Sequence, residues 1–275
     1  MKRPISLAHL TVIELAPPST VAVAAEAGYD MVDLRLGRAV PTDTEYPLGN
    51  SPLIRETARR LSDTGLRVFD VEIVWIQKPF RVADFEPMFE AAAYLGAQRI
   101  KVGAKESDET VVADSLAEIC QFIAPFGLTA DLEFMPFNGI RTLQQAARVV
   151  ELAEHGNAGI LIDTLHLNRS GGHPSEISAF DPALFGYVQL CDAPAMSPPN
   201  LKAITREART GRLFPGEGGL PLVDVLRALP AGIPVSLELP MKALAAKVSA
   251  VERARTAIAA ARRVIESASA PGSDR

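Results

Sequence analysis

Eight short apolar runs recur along the chain, at 5–9, 31–36, 67–75, 99–103, 129–135, 159–166, 186–191 and 234–239. They are rich in Val, Ile and Leu with few polar breaks, the pattern of strands covered on both faces. Between them the apolar positions take a helical spacing. This predicts helices over 19–27, 51–64, 84–95, 108–123, 142–155, 222–229 and 242–267, and only a short one over 173–182. Ser, Thr or Asp opens most of these segments and Gly closes several, as helix caps require. Strand and helix alternate, which implies parallel strands joined by right-handed crossovers. Eight such units, about 250 residues in all, are the size of a (β/α)8 TIM barrel, an α/β fold. An open doubly wound sheet is the competing arrangement, but no G-x-G-x-x-G follows the first strand.

No linker divides the chain, so one domain is expected over residues 1–266. A flexible C-terminal tail, SASAPGSDR, is expected over 267–275. Two connections, 37–50 and 192–219, are longer than usual and read as loops. In a barrel both lie on the face of the strand C-termini, where such folds build their sites.

Composition narrows the partners. The 275 residues are 48% hydrophobic and 22% charged, with a net charge of −5 and no basic cluster. That argues against nucleic acid as a partner. No apolar run reaches the ~18 residues of a membrane span. The N-terminal MKRPISLAHLTVIEL leads into no small-residue cleavage site. Cys120 and Cys191 sit in apolar surroundings and read as reduced core thiols, so a cytoplasmic protein is expected.

Buried strands carry charge only for a reason. Here Glu72, Lys101, Glu133, Asp163, Gln189 and Glu238 fall toward strand C-termini, with His9 and Arg35 as weaker cases. Asp131 with Glu133, Leu161 with Asp163, Tyr187 with Gln189 and Ser236 with Glu238 share strand parity. If those parities face inward, Glu133, Asp163, Gln189 and Glu238 meet at the barrel mouth. Three carboxylates together raise their pKa values or recruit a cation. Two arrangements satisfy this. One is a divalent metal in an oxygen-rich site. The other pairs Glu133 and Glu238 with Lys101, Arg35 or another base and leaves Gln189 as a hydrogen-bonding residue.

The stretches LEFMP (132–136), LIDTLHL (161–167), YVQLCDA (187–193), PGEGG (215–219) and SLELP (236–240) together resemble the xylose isomerase-like TIM barrels. These include sugar phosphate isomerases and epimerases, ketose 3-epimerases, inosose isomerases and dehydratases, 3-dehydroshikimate dehydratases and endonuclease IV. The resemblance runs over essentially the whole barrel. It implies one divalent metal, held by Glu133, Asp163, Gln189 and Glu238. Gln189 departs from the His of many relatives. An amide oxygen there favours Mn2+ or Mg2+, with Co2+ or Zn2+ also open. The resemblance further implies Glu133 and Glu238 as the base–acid pair and His166, of the Asp-x-x-His motif, as a substrate contact or proton shuttle. It admits a homo-oligomer.

A metal beside a substrate carbonyl suits proton abstraction from the neighbouring carbon through a metal-stabilised enediolate. The expected function is therefore an isomerase or epimerase of a sugar or related polyol ketone. The alternative is a metal-dependent dehydratase of the 3-dehydroshikimate or inosose type. A third reading is a non-catalytic sugar-binding barrel. Four histidines in the whole chain are too few for the multi-metal site of endonuclease IV. Met135 stands two residues after Glu133, where some dehydroshikimate dehydratases have His, and it cannot move a proton. Glu72 and Lys101 either contact substrate hydroxyls or pair internally. Arg206 and Arg212 either clamp substrate oxygens or are solvated loop charges. PGEGG either turns its amides to an anion or shapes a turn. Trp75 and Phe80 either line the pocket or pack in the core.

Overall fold

A computed structural model describes residues 3–270. Eight parallel strands close into a barrel in sequence order, with β1 paired to β8. They are β1 Ile5–Leu7, β2 Met31–Arg35, β3 Arg67–Ile76, β4 Arg99–Ala104, β5 Thr129–Glu133, β6 Ala158–Asp163, β7 Phe185–Gln189 and β8 Val235–Leu237. The helices are α1 Pro17–Ala27, α2 Pro52–Thr64, α3 Glu86–Tyr94, α4 Glu109–Ile123, α5 Leu143–Ala153, α6 Thr164–Arg169, α7 Pro174–Ile177, α8 Leu201–Thr210, α9 Leu222–Ala228, α10 Lys242–Ala245 and α11 Ala250–Ser269. The chain is thus the (β/α)8 TIM barrel that its alternation predicts. The main core joins strand residues such as Ile100, Leu132 and Ile160 to helix residues such as Leu116, Val149 and Ile258. Among the described residues, no helix is long and apolar enough to cross a membrane. Both cysteines are free and buried.

Three segments differ from the pattern-based expectation, each for a local reason. The run 159–166 is not one strand. β6 stops at Asp163, whose side chain accepts from the backbone N–H groups of Leu165 and His166 and starts α6. The connection 192–219 is not all loop: Asn200 caps α8 through the N–H of Ala203, and Ile204 and Ala208 bury its inner face. The helix expected over 242–267 is two helices, because Ser249 caps a new start at Ala250. α11 then runs to Ser269, into the segment expected as a tail, and 271–275 lie outside the described residues.

The barrel interior is polar as well as apolar. Tyr187 on β7 donates to Asp70 on β3, a bond that must cross the barrel because these strands are not neighbours. Phe69 packs edge-on against the same tyrosine. Asp33 on β2 accepts from Ser6 on β1 and Ser236 on β8. Burial pushes the Asp33 carboxyl up to about 6, with the two serine hydroxyls opposing. A folded pKa above the ordinary value means that this group's contribution to stability is full below about pH 4 and is lost as pH rises through about 6. Asn would keep one acceptor and gain a donor for the same serines. The melting temperature of Asp33→Asn relative to wild type should therefore rise by a few degrees between pH 4 and pH 7. A difference that does not change with pH would contradict this titration.

Candidate active site

The C-terminal ends of β2, β3, β4 and β5, with Glu238 just after β8, line a cavity of about 400 Å³, and Asp163 and Gln189 are not among its lining residues. β5 ends on Glu133, β6 on Asp163 and β7 on Gln189, and Glu238 directly follows β8. The register sets Asp163 opposite Gln189, and Gln189 opposite Ser236. All four side chains are at most 3% exposed. His166 joins them because the chain turns helical at Asp163. Three residues apart on a strand, the two side chains would point to opposite faces; on a helix they share one. Its Nε2 lies 3.6 Å from Glu133 Oε1.

Lys101 reaches up from β4 and divides its ammonium between Glu72 Oε2 at 2.6 Å and Glu238 Oε1 at 2.7 Å. Arg35, at the end of β2, adds a contact to Glu72 at 3.3 Å and reaches Asp43 of the 37–50 connection at 3.7 Å. Arg212 holds Asp163 Oδ2 at 2.6 Å and Glu238 Oε2 at 2.9 Å. Gln189 Nε2 donates to Glu238 Oε1 at 3.0 Å. Three cations therefore face five carboxylates, Asp43, Glu72, Glu133, Asp163 and Glu238, and Glu133 has no Lys or Arg in contact among the described residues.

The protonation pattern follows. Burial would raise Glu238, but Lys101 and Arg212 outweigh it and hold the carboxyl well below its usual range. Burial is likewise outweighed at Glu72, by Arg35 and Lys101. Glu133 goes the other way. Burial, with Glu238 and Asp163 adding, pushes it up to about 8 against the opposing charges of Lys101 and Arg212. Burial lowers His166 to about 4, so it is neutral near pH 7.

The residues present suit a divalent ion. Single ligand atoms of Glu133, Asp163 and His166 lie within 4.8 Å of one another. Glu133 Oε1 and Gln189 Oε1 are buried and have no hydrogen-bond partner among the described residues. A carboxyl and an amide oxygen left bare in a dry site are what a hard cation needs. Glu238 is outside the tight trio, since Lys101 and Arg212 occupy its oxygens.

The other expected positions divide. Glu72, Lys101, Arg212 and Trp75 line the cavity, whereas Arg206 is exposed on α8 and is not among its lining residues, nor is Phe80. Glu72 and Lys101 do form the internal pair. The PGEGG amides do face an anion, but it is Asp192 of the same chain, which accepts from Gly216, Gly218 and Leu220. Both ring nitrogens of His9 contact backbone, at Leu15 and Arg35. Asp43 and Arg209, also lining the cavity, lie in stretches that sequence reading treats as loops, with only their charge to mark them.

The barrel and its sequence place the chain in a family. A profile of the xylose isomerase-like TIM barrel matches residues 21–267, and the chain belongs to that family. It is similar to a 3-dehydroshikimate dehydratase of Pseudomonas aeruginosa, 26% identical over 258 residues, covering 85% of this chain and 37% of that protein. The chain thus spans little more than a third of that relative's length. It is also similar to an inosose isomerase of Bacillus subtilis, 23% identical over 158 residues, with 54% of this chain and 55% of that protein covered. Among solved structures, the IolI protein with a bound zinc atom shares the fold, with a TM-score of 0.80, 18% identity and coverage of 96% and 98%. These relatives make the chain one of a family of enzymes.

Lys101 supports two buried carboxylates at once. Lys101→Met should cost on the order of 3–5 kcal/mol at pH 7 by urea denaturation, because it strands Glu72 and Glu238. The deficit should shrink toward about pH 5, as the stranded carboxyls take up protons. A loss of under about 1 kcal/mol would show that Arg35 and Arg212 suffice without it.

Proposed function

We propose that this chain is a metal-dependent dehydratase. It takes a proton from the carbon next to the carbonyl of a small cyclic polyol ketone or keto acid and expels the β-hydroxyl as water. The observation that carries the reading is the inequality of Glu133 and Glu238. An epimerase of the two-carboxylate kind needs one group to take a proton and the other to return one. Glu238 is held ionised by Lys101, Arg212 and Gln189 and makes a poor proton donor. Glu133 has no Lys or Arg in contact and a free buried oxygen among the described residues, so it is placed to take up a proton. One-sided proton handling fits elimination.

Glu133, Asp163 and Gln189 would hold the metal, with His166 at their side, and Glu238 would join them once Arg212 frees its Oε2. When bound, a divalent ion supplies polarisation of the substrate carbonyl. Glu133 accepts the proton as a carboxylate. The C–H electron pair becomes the new double bond, and the bond from carbon to the β-hydroxyl breaks. The departing hydroxide takes up a proton and leaves as water. Met135 cannot supply that proton. His166 can relay it from Glu133, since it is neutral, lies 3.6 Å from Glu133 and has a buried Nδ1 with no partner. Likeness to a 3-dehydroshikimate dehydratase supports the same outcome.

The test is incubation of the Mn2+-loaded protein in D2O with 3-dehydroshikimate and, separately, with an inosose. The expected result is a new conjugated absorbance and loss of one water by mass. Glu133→Gln should reduce the rate by about 10²–10⁴-fold. Deuterium entering recovered substrate with no new absorbance would overturn dehydration in favour of isomerase or epimerase chemistry. A protein that takes up no Mn2+ and turns over neither compound would end both.

A further inference from the structure

The guanidinium of Arg212 has a role that substrate clamping does not explain. It is 3% exposed and sits against the metal-capable residues, not at the outer rim. Nη1 donates to Asp163 Oδ2 at 2.6 Å, to Cys191 Sγ at 3.4 Å and to the Glu238 carbonyl at 3.2 Å. Nη2 lies 2.9 Å from Glu238 Oε2. Nε donates to the Ala208 carbonyl at 3.0 Å. One planar cation thus joins two carboxylates that come from non-adjacent strands, β6 and β8. These are contacts that a metal would otherwise make.

The backbone on either side of Arg212 is fixed. Gly211 bridges to Met241 and Leu213 bridges to Asp192. Asp192 in turn fastens the following turn through Gly216, Gly218 and Leu220. A Cβ on Gly218 would lie 2.2 Å from the Ala193 carbonyl oxygen, so that turn is tightly closed. Arg212 can therefore yield only by turning its side chain, and the cavity it lines lies open to it.

We propose that Arg212 is a built-in cation for the metal site. It neutralises Asp163 and Glu238 while the metal is absent and competes with the metal for them. A divalent ion arriving beside a fixed guanidinium meets a like charge in a dry site and finds two ligand carboxylates engaged. Metal entry draws the guanidinium off at least one carboxylate and turns it toward the cavity. Metal affinity is then lower than the same ligands would give without Arg212, and the metal-free barrel mouth is held together.

This inference rests on the metal-dependent reading of the site. Metal-free wild type, Arg212→Gln and Arg212→Lys would be titrated with Mn2+, the free ion being followed by electron paramagnetic resonance. Thermal melting would be measured with and without Mn2+. Arg212→Gln should bind Mn2+ at least about tenfold more tightly than wild type. It should melt lower when metal-free and recover most of the difference on Mn2+ addition. Arg212→Lys, a point charge that cannot span both carboxylates, should fall between the two, and it carries the test if the Gln variant fails to fold. Equal or weaker Mn2+ binding by the folded variants would overturn the proposal, making Arg212 a support for the ligands. Wild type and variants all failing to bind Mn2+ would overturn the metal reading itself, and this proposal with it.

Discussion

Lys101, rising from β4, ties Glu72 on β3 to Glu238 beyond β8, and the rest of the mouth is arranged around that bond. Carboxylates brought together out of water repel and lose hydration, and they tolerate this only where cations lie within direct contact. Lys101 spans the barrel, so it neutralises two strands that never pair. With Glu238 oriented by that ammonium, its second oxygen meets Arg212, and Arg212 in turn reaches Asp163. Each link determines where the next can sit.

The chain of pairs stops at Glu133, and this separates reactivity from scaffolding. Glu72 and Glu238, with cations in contact, are held ionised and act as fixed charge. Glu133 has burial and like charge on it without a partner cation, so its proton affinity moves toward neutral pH. A group that is to take up and give back a proton needs this condition, and the charge pairing elsewhere makes it affordable. His166 completes the contrast: burial pushes its proton affinity down to about 4 while that of Glu133 rises to about 8.

Much of this was legible in the sequence, because barrels write themselves in period. Buried strands with a polar residue at the C-terminal end gave Glu133, Asp163, Gln189 and Glu238, since strand parity alone carries a side chain to the mouth. The pairing of Glu72 with Lys101 was open but visible. What stayed hidden depended on backbone that changes type. His166 was named through the Asp-x-x-His resemblance, but its helical position was not: the strand becomes a helix at Asp163, and an apolar run does not announce its own end. Asp163 followed by Thr164 was the cap signal available there. α8 went unread for a similar reason: the Pro-rich approach APAMSPP (193–199) masks the Asn200 cap. The place of Arg212 was illegible in any local pattern, since it is decided by Asp192 closing the turn behind it.

Gln189 differs in charge and chemistry from the residues that could stand in its place. A carboxylate at that position would add a negative charge with no cation left to meet it. An imidazole would offer one nitrogen and a group able to take a proton. The amide adds an oxygen without charge and cannot titrate near neutral pH. Its NH2 end is spent on Glu238 Oε1, which fixes which way the oxygen points. Among the described residues that oxygen is then bare in a buried site, as Glu133 Oε1 is. Two unsatisfied acceptors cost free energy unless something with positive charge answers them. The neutral residue and the proton-hungry one thus each leave a buried acceptor for a cation to answer.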